Sequence, residues 1–408
     1  MSEWRFTSYD LRSGGKLTDL QVQSWQSSDV LSEAGSWSAT VNVDGATAST
    51  GSVQSAQPLL DDDTEEVLLD DDTSHVLVGD VETYTFATSR QTSVADSTRK
   101  GRSLVVAERD GVPVFAGIVW RRRYNAESRL LDLAGSGILS YFDHWVPGAT
   151  VTYTVQDQFA IVRALVARVQ AAAGGSIGLQ VTADNSGVVR DRTYPRYDGL
   201  TFGDLIENLS RVAGGFDLAA RVEYNAGTVE RWLRLWYPRR GRDIGVTSLQ
   251  FRSPGNAVLF DMSEDATDMA VTVNALGAGD GPDMLIAPAS RTELIDAGWP
   301  GYTTPRAYKD VTDYTTLVSH ARADVDRLSG IDSEEYRVRV DPNDASRPWG
   351  SWDLGDDAVL IVEDDPMFPA NDDGTPGLVS LRRVLAHDWS VAGSSEELTV
   401  TLGRKVVP

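Results

Sequence analysis

The chain contains no cysteine, which excludes disulfides and thiolate metal centres outright. Histidine is almost as scarce. The four present, His75, His144, His320 and His387, show no metal-ligand spacing and no His-Glu-x-x-His pair. No apolar run approaches the roughly 20 residues needed to cross a bilayer. The opening Met1-Ser2-Glu3-Trp4-Arg5 has neither the basic nor the apolar region of a signal peptide. These absences predict a soluble protein made in a cytoplasm. Positive charge is short as well: 37 Lys and Arg face 60 Asp and Glu, a net charge of -23. A nucleic-acid binder gains its affinity by neutralising phosphates, so the charge argues against that class. Only Lys16, Lys100, Lys309 and Lys405 are lysines. The arginine that replaces lysine elsewhere forms the better bidentate interface pairs.

Catalytic signatures are also missing. There is no Gly-x-Ser-x-Gly elbow and no phosphate-binding P-loop. Gly277-Ala278-Gly279-Asp280-Gly281 resembles half of a dinucleotide fingerprint, but its spacing is wrong and a Pro-containing stretch follows it, so it is rejected. His144 stands between Asp143 and Trp145, where a carboxylate could orient a general base; a histidine closing an aromatic strand end is more often structural. Glu264-Asp265, Glu334-Glu335 and Asp364-Asp365 read as solvated turn charge, not as a glycosidase pair. Trp349, Trp352 and Tyr302 could stack on sugars, but core or interface anchoring is the expected use of such aromatics. The expectation is therefore no catalytic residue, no cofactor site and no metal site.

What is present is apolar residue content and period-two patterning. At 408 residues, 41% hydrophobic, with 11 Trp and 13 Tyr, the chain predicts two to four folded domains. Residues 103–109 alternate as a half-buried strand. Asp110-Gly111 supplies a tight hairpin turn, and residues 112–123 and 129–134 complete a meander. Residues 59–76 hold a nine-residue tandem repeat with an LLDDDT core. Clustered carboxylates suit Ca²⁺, but the repeat lacks EF-hand spacing, and a duplicated solvated loop is the favoured reading.

The middle of the chain changes period. Residues 156–173 carry Phe159, Val162, Leu165, Val166 and Val169 on one helical stripe, with Thr154 and Asp157 as a capping arrangement. A second helix opens at Thr201 with Asp204 three residues on and stops at Gly214-Gly215. Residues 216–224 and 229–237 form a hairpin through Asn225-Ala226-Gly227. Strands return at 247–252, 257–262 and 270–275. A Gly- and Pro-rich loop runs over 277–305, a helix over 312–328, and strands over 336–340, 356–362, 378–389 and 397–402.

Arg109-Asp110-Gly111, Val114-Phe115, Gly117 and residues 135–141 resemble the N-terminal barrel of the tail-tip hub proteins of long-tailed bacteriophages, especially those of actinobacterial phages. Residues 20–43, with Leu31, Gly35 and Trp37-Ser38-Ala39-Thr40, look like opening strands of the same domain. Residues 271–277 and 354–359 are similar to second-barrel segments of such hubs. Each motif is short, and their order along the chain carries the likeness.

The resemblance implies a β-dominated α+β fold with two β-barrel-like domains linked by a small α+β domain. The divisions are residues 1–147 with the acidic repeat loop 59–76, residues 148–245 with two amphipathic helices, and residues 246–408 with the helix 312–328. It implies a homotrimeric virion structural protein at the tail tip, with two similar barrels per subunit making a pseudo-sixfold ring. Its partners would be the distal tail-tube proteins and other tail-tip proteins. It would close the tube and open for DNA ejection, the DNA passing without specific binding. The acidic charge suits such a channel, although a merely soluble acidic surface explains it equally well. A receptor- or glycan-binding tail protein and a tail-associated cell-wall hydrolase remain as alternatives. The short chain, ending at Pro408 soon after a barrel-like strand, argues against the hydrolase.

Overall fold

In the computed structural model the described residues are 2–43, 59–60, 66–68, 75–77, 93–212, 214–225, 228–309, 311–330 and 334–404. The chain opens with β1 (Trp4–Asp10), β2 (Lys16–Asp19), β3 (Val22–Val30) and β4 (Ser36–Asn42). Three short strands, β5 (Leu59–Leu60), β6 (Glu66–Leu68) and β7 (His75–Leu77), pair antiparallel with one another. Only these residues of the acidic repeat are described; 61–65 and 69–74, with the aspartates at 61–63 and 70–72, lie outside the described residues. A single turn of helix, α1 (Val94–Ser97), leads into the expected meander of β8 (Ser103–Arg109), β9 (Val112–Asn125) and β10 (Leu130–Gly137). The middle of the chain holds β11 (Val151–Asp157), α2 (Gln158–Ala171), β12 (Leu179–Val181), β13 (Val189–Tyr194), α3 (Phe202–Ser210), β14 (Asp217–Asn225), β15 (Thr228–Trp236) and the short α4 (Ile244–Thr247).

The last part begins with β16 (Leu249–Ser253), β17 (Ala257–Ser263) and β18 (Thr272–Leu276). The stretch expected as one long loop instead contains β19 (Ile286–Ser290), α5 (Thr292–Asp296) and β20 (Thr303–Ala307). β19 and β20 flank β18, and α6 (Tyr314–Leu328) packs on that sheet through Leu317, Ala321 and Val325. Proline and glycine hid these strands because β19 and β20 are both edges, where a missing N–H costs little. The chain finishes with β21 (Glu335–Val340), β22 (Asp357–Val362), β23 (Leu378–Ala392) and β24 (Ser395–Arg404).

Thirteen strands share one sheet. Its front part runs β3-β4-β10-β9-β8-β1-β2, and its back part runs β17-β21-β24-β23-β22-β16; the two join where β23 pairs with β3. The fold is thus β-dominated, as expected. Each part curls into an open ring, not a closed barrel. In the front ring Phe6 on β1 reaches Trp25 on β3, with ring centroids 5.2 Å apart, although four strands separate them along the sheet. The seams fall between β2 and β3 and between β16 and β17, neighbours in sequence that share no ladder.

The two rings are wound alike. Reading outward from the seam, β3-β4-β10-β9-β8-β1 matches β17-β21-β24-β23-β22-β16. The front ring has one extra strand, β2, so β1 runs antiparallel to β8 whereas β16 runs parallel to β22. Details recur at the same place. The β9–β10 register shifts where Trp120 is skipped, and the β23–β24 register shifts where Leu385 is skipped. The Gly101 N–H donates to the Val119 carbonyl at 2.7 Å, and the Gly355 N–H to the Val384 carbonyl at 2.8 Å. Both glycines sit just ahead of the strand that follows them and hold positive φ, +69° and +87°, a conformation that favours glycine.

Three cores result. Trp25 and Trp37 stack 4.9 Å apart inside the front ring, with Phe6, Val105 and Ala107. Phe251, Trp352, Leu360 and Leu398 fill the back ring. A third core joins α2, α3 and the β14–β15 hairpin to the outer face of the front ring through Leu104, Val106 and Ile118. β8 is therefore buried on both faces, where alternation had predicted one; a strand covered twice loses its polar positions. The α3 capping box forms as read, with Thr201 and Asp204 exchanging hydrogen bonds. α2 is capped by Asp157 alone, whose carboxylate accepts from the Phe159 N–H at 2.9 Å; Thr154 takes no part. Residues 226–227 of the expected turn lie outside the described residues.

Candidate functional site: the ring junction

The junction depends on one strand changing partners. β23 pairs with β22 as far as Arg383, skips Leu385, and then pairs with β3 from Ala386–Val30 to Ala392–Ser24. The Leu31 N–H closes the step by donating to the Leu385 carbonyl at 2.8 Å. A web of arginines then fixes the middle unit over this strand. Arg383 binds Asp217 and donates to the Arg240 carbonyl at 2.7 Å; Arg240 and Arg221 both grip Asp353, at 2.8 and 2.7 Å. Arg239 reaches the fully buried Asp357 at 2.8 Å. The Arg239–Asp357 and Arg383–Asp217 pairs are largely buried on both sides; such pairs specify a geometry more than they add stability, and losing one partner is costly. A second clasp ties the front ring to the back: Arg109 bonds Glu396 at 2.9 and 3.0 Å, and the Trp4 indole donates to it at 2.7 Å. Although burial opposes it, these donors hold the Glu396 carboxyl at about 2.

A cavity of about 500 Å³ opens beside the junction, lined by Asp29, Arg221, Trp349, Trp352, Asp353 and His387 among others. Asp29 and His387 are register partners across the β23–β3 ladder. Desolvation pushes Asp29 up to about 7, with Arg221 opposing and Asp353 reinforcing. The same desolvation brings His387 down to about 4, so its imidazole is neutral at physiological pH and its Nε2 has no hydrogen-bond partner. Trp349 and Trp352 meet that ring edge-on at 4.8 and 5.1 Å. The lining carries carboxylates and one imidazole but no serine or threonine hydroxyl. Among the described residues no three His, Asp or Glu side chains converge as metal ligands, and no helix is long and apolar enough to cross a membrane.

Trp352 lies in the back core and Trp349 packs on Trp389, the anchoring expected of them. Tyr302 is exposed. His144 is exposed and stacks on Trp120 at 4.2 Å, and His320 stacks on Tyr308 at 4.4 Å. The side chain of His75 is outside the described residues. The acidic pairs are dispersed: Glu334 binds Arg382 at 3.1 Å, Asp364 and Asp365 accept backbone N–H groups of their own turn, and Glu264 and Asp265 are exposed. Gly277–Gly281 is part of the β18–β19 connection, with a 3-10 turn at Gly281–Asp283. Sequence reasoning passed over Asp29 and His387 because each occupies an ordinary strand position; only cross-strand register brings them together.

No known family model and no curated protein matches the sequence. Solved structures do. The tail protein from Neisseria meningitidis MC58 superposes with a TM-score of 0.57 at 11% identity, covering 98% of this chain and 97% of that one. The 43 kDa tail protein of prophage MuSo2 from Shewanella oneidensis superposes with a TM-score of 0.56 at 10% identity, covering 98% of both chains. This chain has the phage tail-protein fold. The superpositions cover 98% of this chain, so the likeness of fold is a property of its whole length.

Proposed function

We propose that the chain is a structural protein of a phage virion, the tail-tip hub, and that it works as a homotrimer. In this reading residues 1–147 and 246–408 are the two ring domains and residues 148–245 the α+β domain between them. Three copies set six similar rings around one axis, which lets a threefold tip meet a sixfold tail tube with matched contacts. The observation that carries the reading is the repeated strand order of the two rings. The hub docks on the distal tube and on other tip proteins, closes the tube before infection and opens for DNA ejection. A net charge of -23 keeps a lumen from holding DNA by its phosphates. The protein acts as scaffold, without catalysis or a cofactor.

Mass measurement of the purified full chain under native conditions tests this. The expected species is a trimer; a protein that stays monomeric at every concentration, with no labelled copy at tail tips in micrographs, contradicts it.

A further inference from the structure

The like winding of the rings has a consequence at their free edges. Within one chain the junction joins two elements: the second half of the back ring's β23, past its skipped residue, and the front ring's seam strand β3. Each has a counterpart in the other ring. The counterpart of the β23 segment is the end of β9, Arg121 to Asn125, past the skipped Trp120. The counterpart of β3 is β17. Among the described residues both counterparts are half-paired: the β9 segment pairs with β10 alone, and β17 with β21 alone. Unpaired strand edges are normally shortened, charged or covered.

We infer that these two edges are the two sides of an interface between copies of this chain, the β9 segment of one copy pairing antiparallel with β17 of the next, so that the internal junction recurs between subunits. The side chains are complementary. Arg121, Arg123 and Tyr124 are exposed, and among the described residues no carboxylate pairs with Arg121, Arg122 or Arg123. Arg122 is half-buried and donates to the Ala95 carbonyl at 2.6 Å. On the other side β17 exposes Val258, Phe260 and Asp261, and Glu264 and Asp265 follow it directly. Phe260 is framed by Arg337 and Arg339, 5.5 and 5.4 Å from its ring, and Asp261 has only a 3.9 Å contact to Arg337. Pairing would bring two exposed arginines, Arg121 and Arg123, against a strand with an apolar face and a carboxylate-rich end.

The contact is head-to-tail, so it must close into a ring or run on as a fibre; only the count of three copies rests on the hub reading.

The test uses full-length protein and its association measured by sedimentation. R121E/R123E and D261R/D265R are each expected to weaken association roughly tenfold or more, and the four changes together to recover most of it. Phe260→Asp should weaken it without touching the arginines. All these sites are exposed, so thermal melts should stay near wild type. Because the chain has no cysteine, Tyr124→Cys combined in turn with V258C and F260C gives a clean crosslinking readout: one combination should yield disulfide-linked multimers under oxidation. An oligomer that none of these variants weakens and no pair crosslinks overturns this interface and leaves the hub reading standing. A wild-type protein that is monomeric throughout overturns both.

Discussion

The front and back rings follow one winding rule with different side chains. The front ring is filled by a stack of Phe6, Trp25 and Trp37 and is packed from outside by the middle unit. The back ring is filled by Phe251, Tyr336, Trp352 and Trp389 among aliphatic residues, with Trp349 and Trp352 edge-on to His387. Strand order, register shifts and the glycine step are shared; the residues between them are not. A ring of this kind is specified by where the chain turns and which face is apolar, and many packings satisfy that. Both cores hold large aromatic side chains, stacked in the front ring and meeting edge-on in the back ring.

That contrast can be broken most strongly at Trp25, which is fully buried. Trp25→Ala should cost about 4 kcal/mol in chemical denaturation, and Trp349→Ala, at a half-buried site, about half as much; equal losses would mean that burial does not set the difference between the stacked and the edge-on cluster. Next is the clasp between the rings. Glu396→Gln leaves the buried Arg109 with only the longer 3.4 Å charge contact to Asp110 and should cost about 3 kcal/mol, measured the same way at neutral pH. The Glu396 carboxyl sits below its unfolded value of 4.5, at about 2, so its contribution is present above 4.5 and is lost as pH falls towards 2. The variant should therefore lose its disadvantage in acid.

The junction carboxyl behaves in the opposite sense. Asp29 is raised from 3.8 to about 7, so its contribution is full below 3.8 and is lost as pH rises through 7. Asp29→Asn should stabilise the protein by ~2 kcal/mol at pH 8 and leave it unchanged near pH 4. Melting curves across that range check it; a constant difference would place Asp29 in water. The smallest effect belongs to the α3 capping box, where Thr201→Ala should cost about 1 kcal/mol and leave both rings intact.

Much of this architecture was legible in period and punctuation. β8 was read to the residue, and the Asp110-Gly111 turn follows it. The Thr201–Asp204 box and the helix ending at Leu328 were read from capping and spacing. β19 and β20 were not, because edge strands tolerate the prolines and glycines that signal loops. The open seams and the joining of both rings into one sheet are long-range pairings, and no local pattern encodes them. Asp29 and His387 were invisible for the same reason: a buried titratable pair across a ladder is a fact of register.

The central claim is that two like-wound rings per chain tile a closed collar. Electron microscopy of the assembled protein, reconstructed without imposed symmetry, tests it most directly. The account predicts three copies and six ring-shaped lobes about one axis, alternating front and back. An assembly in which front rings meet only front rings, or a chain that never assembles, contradicts it.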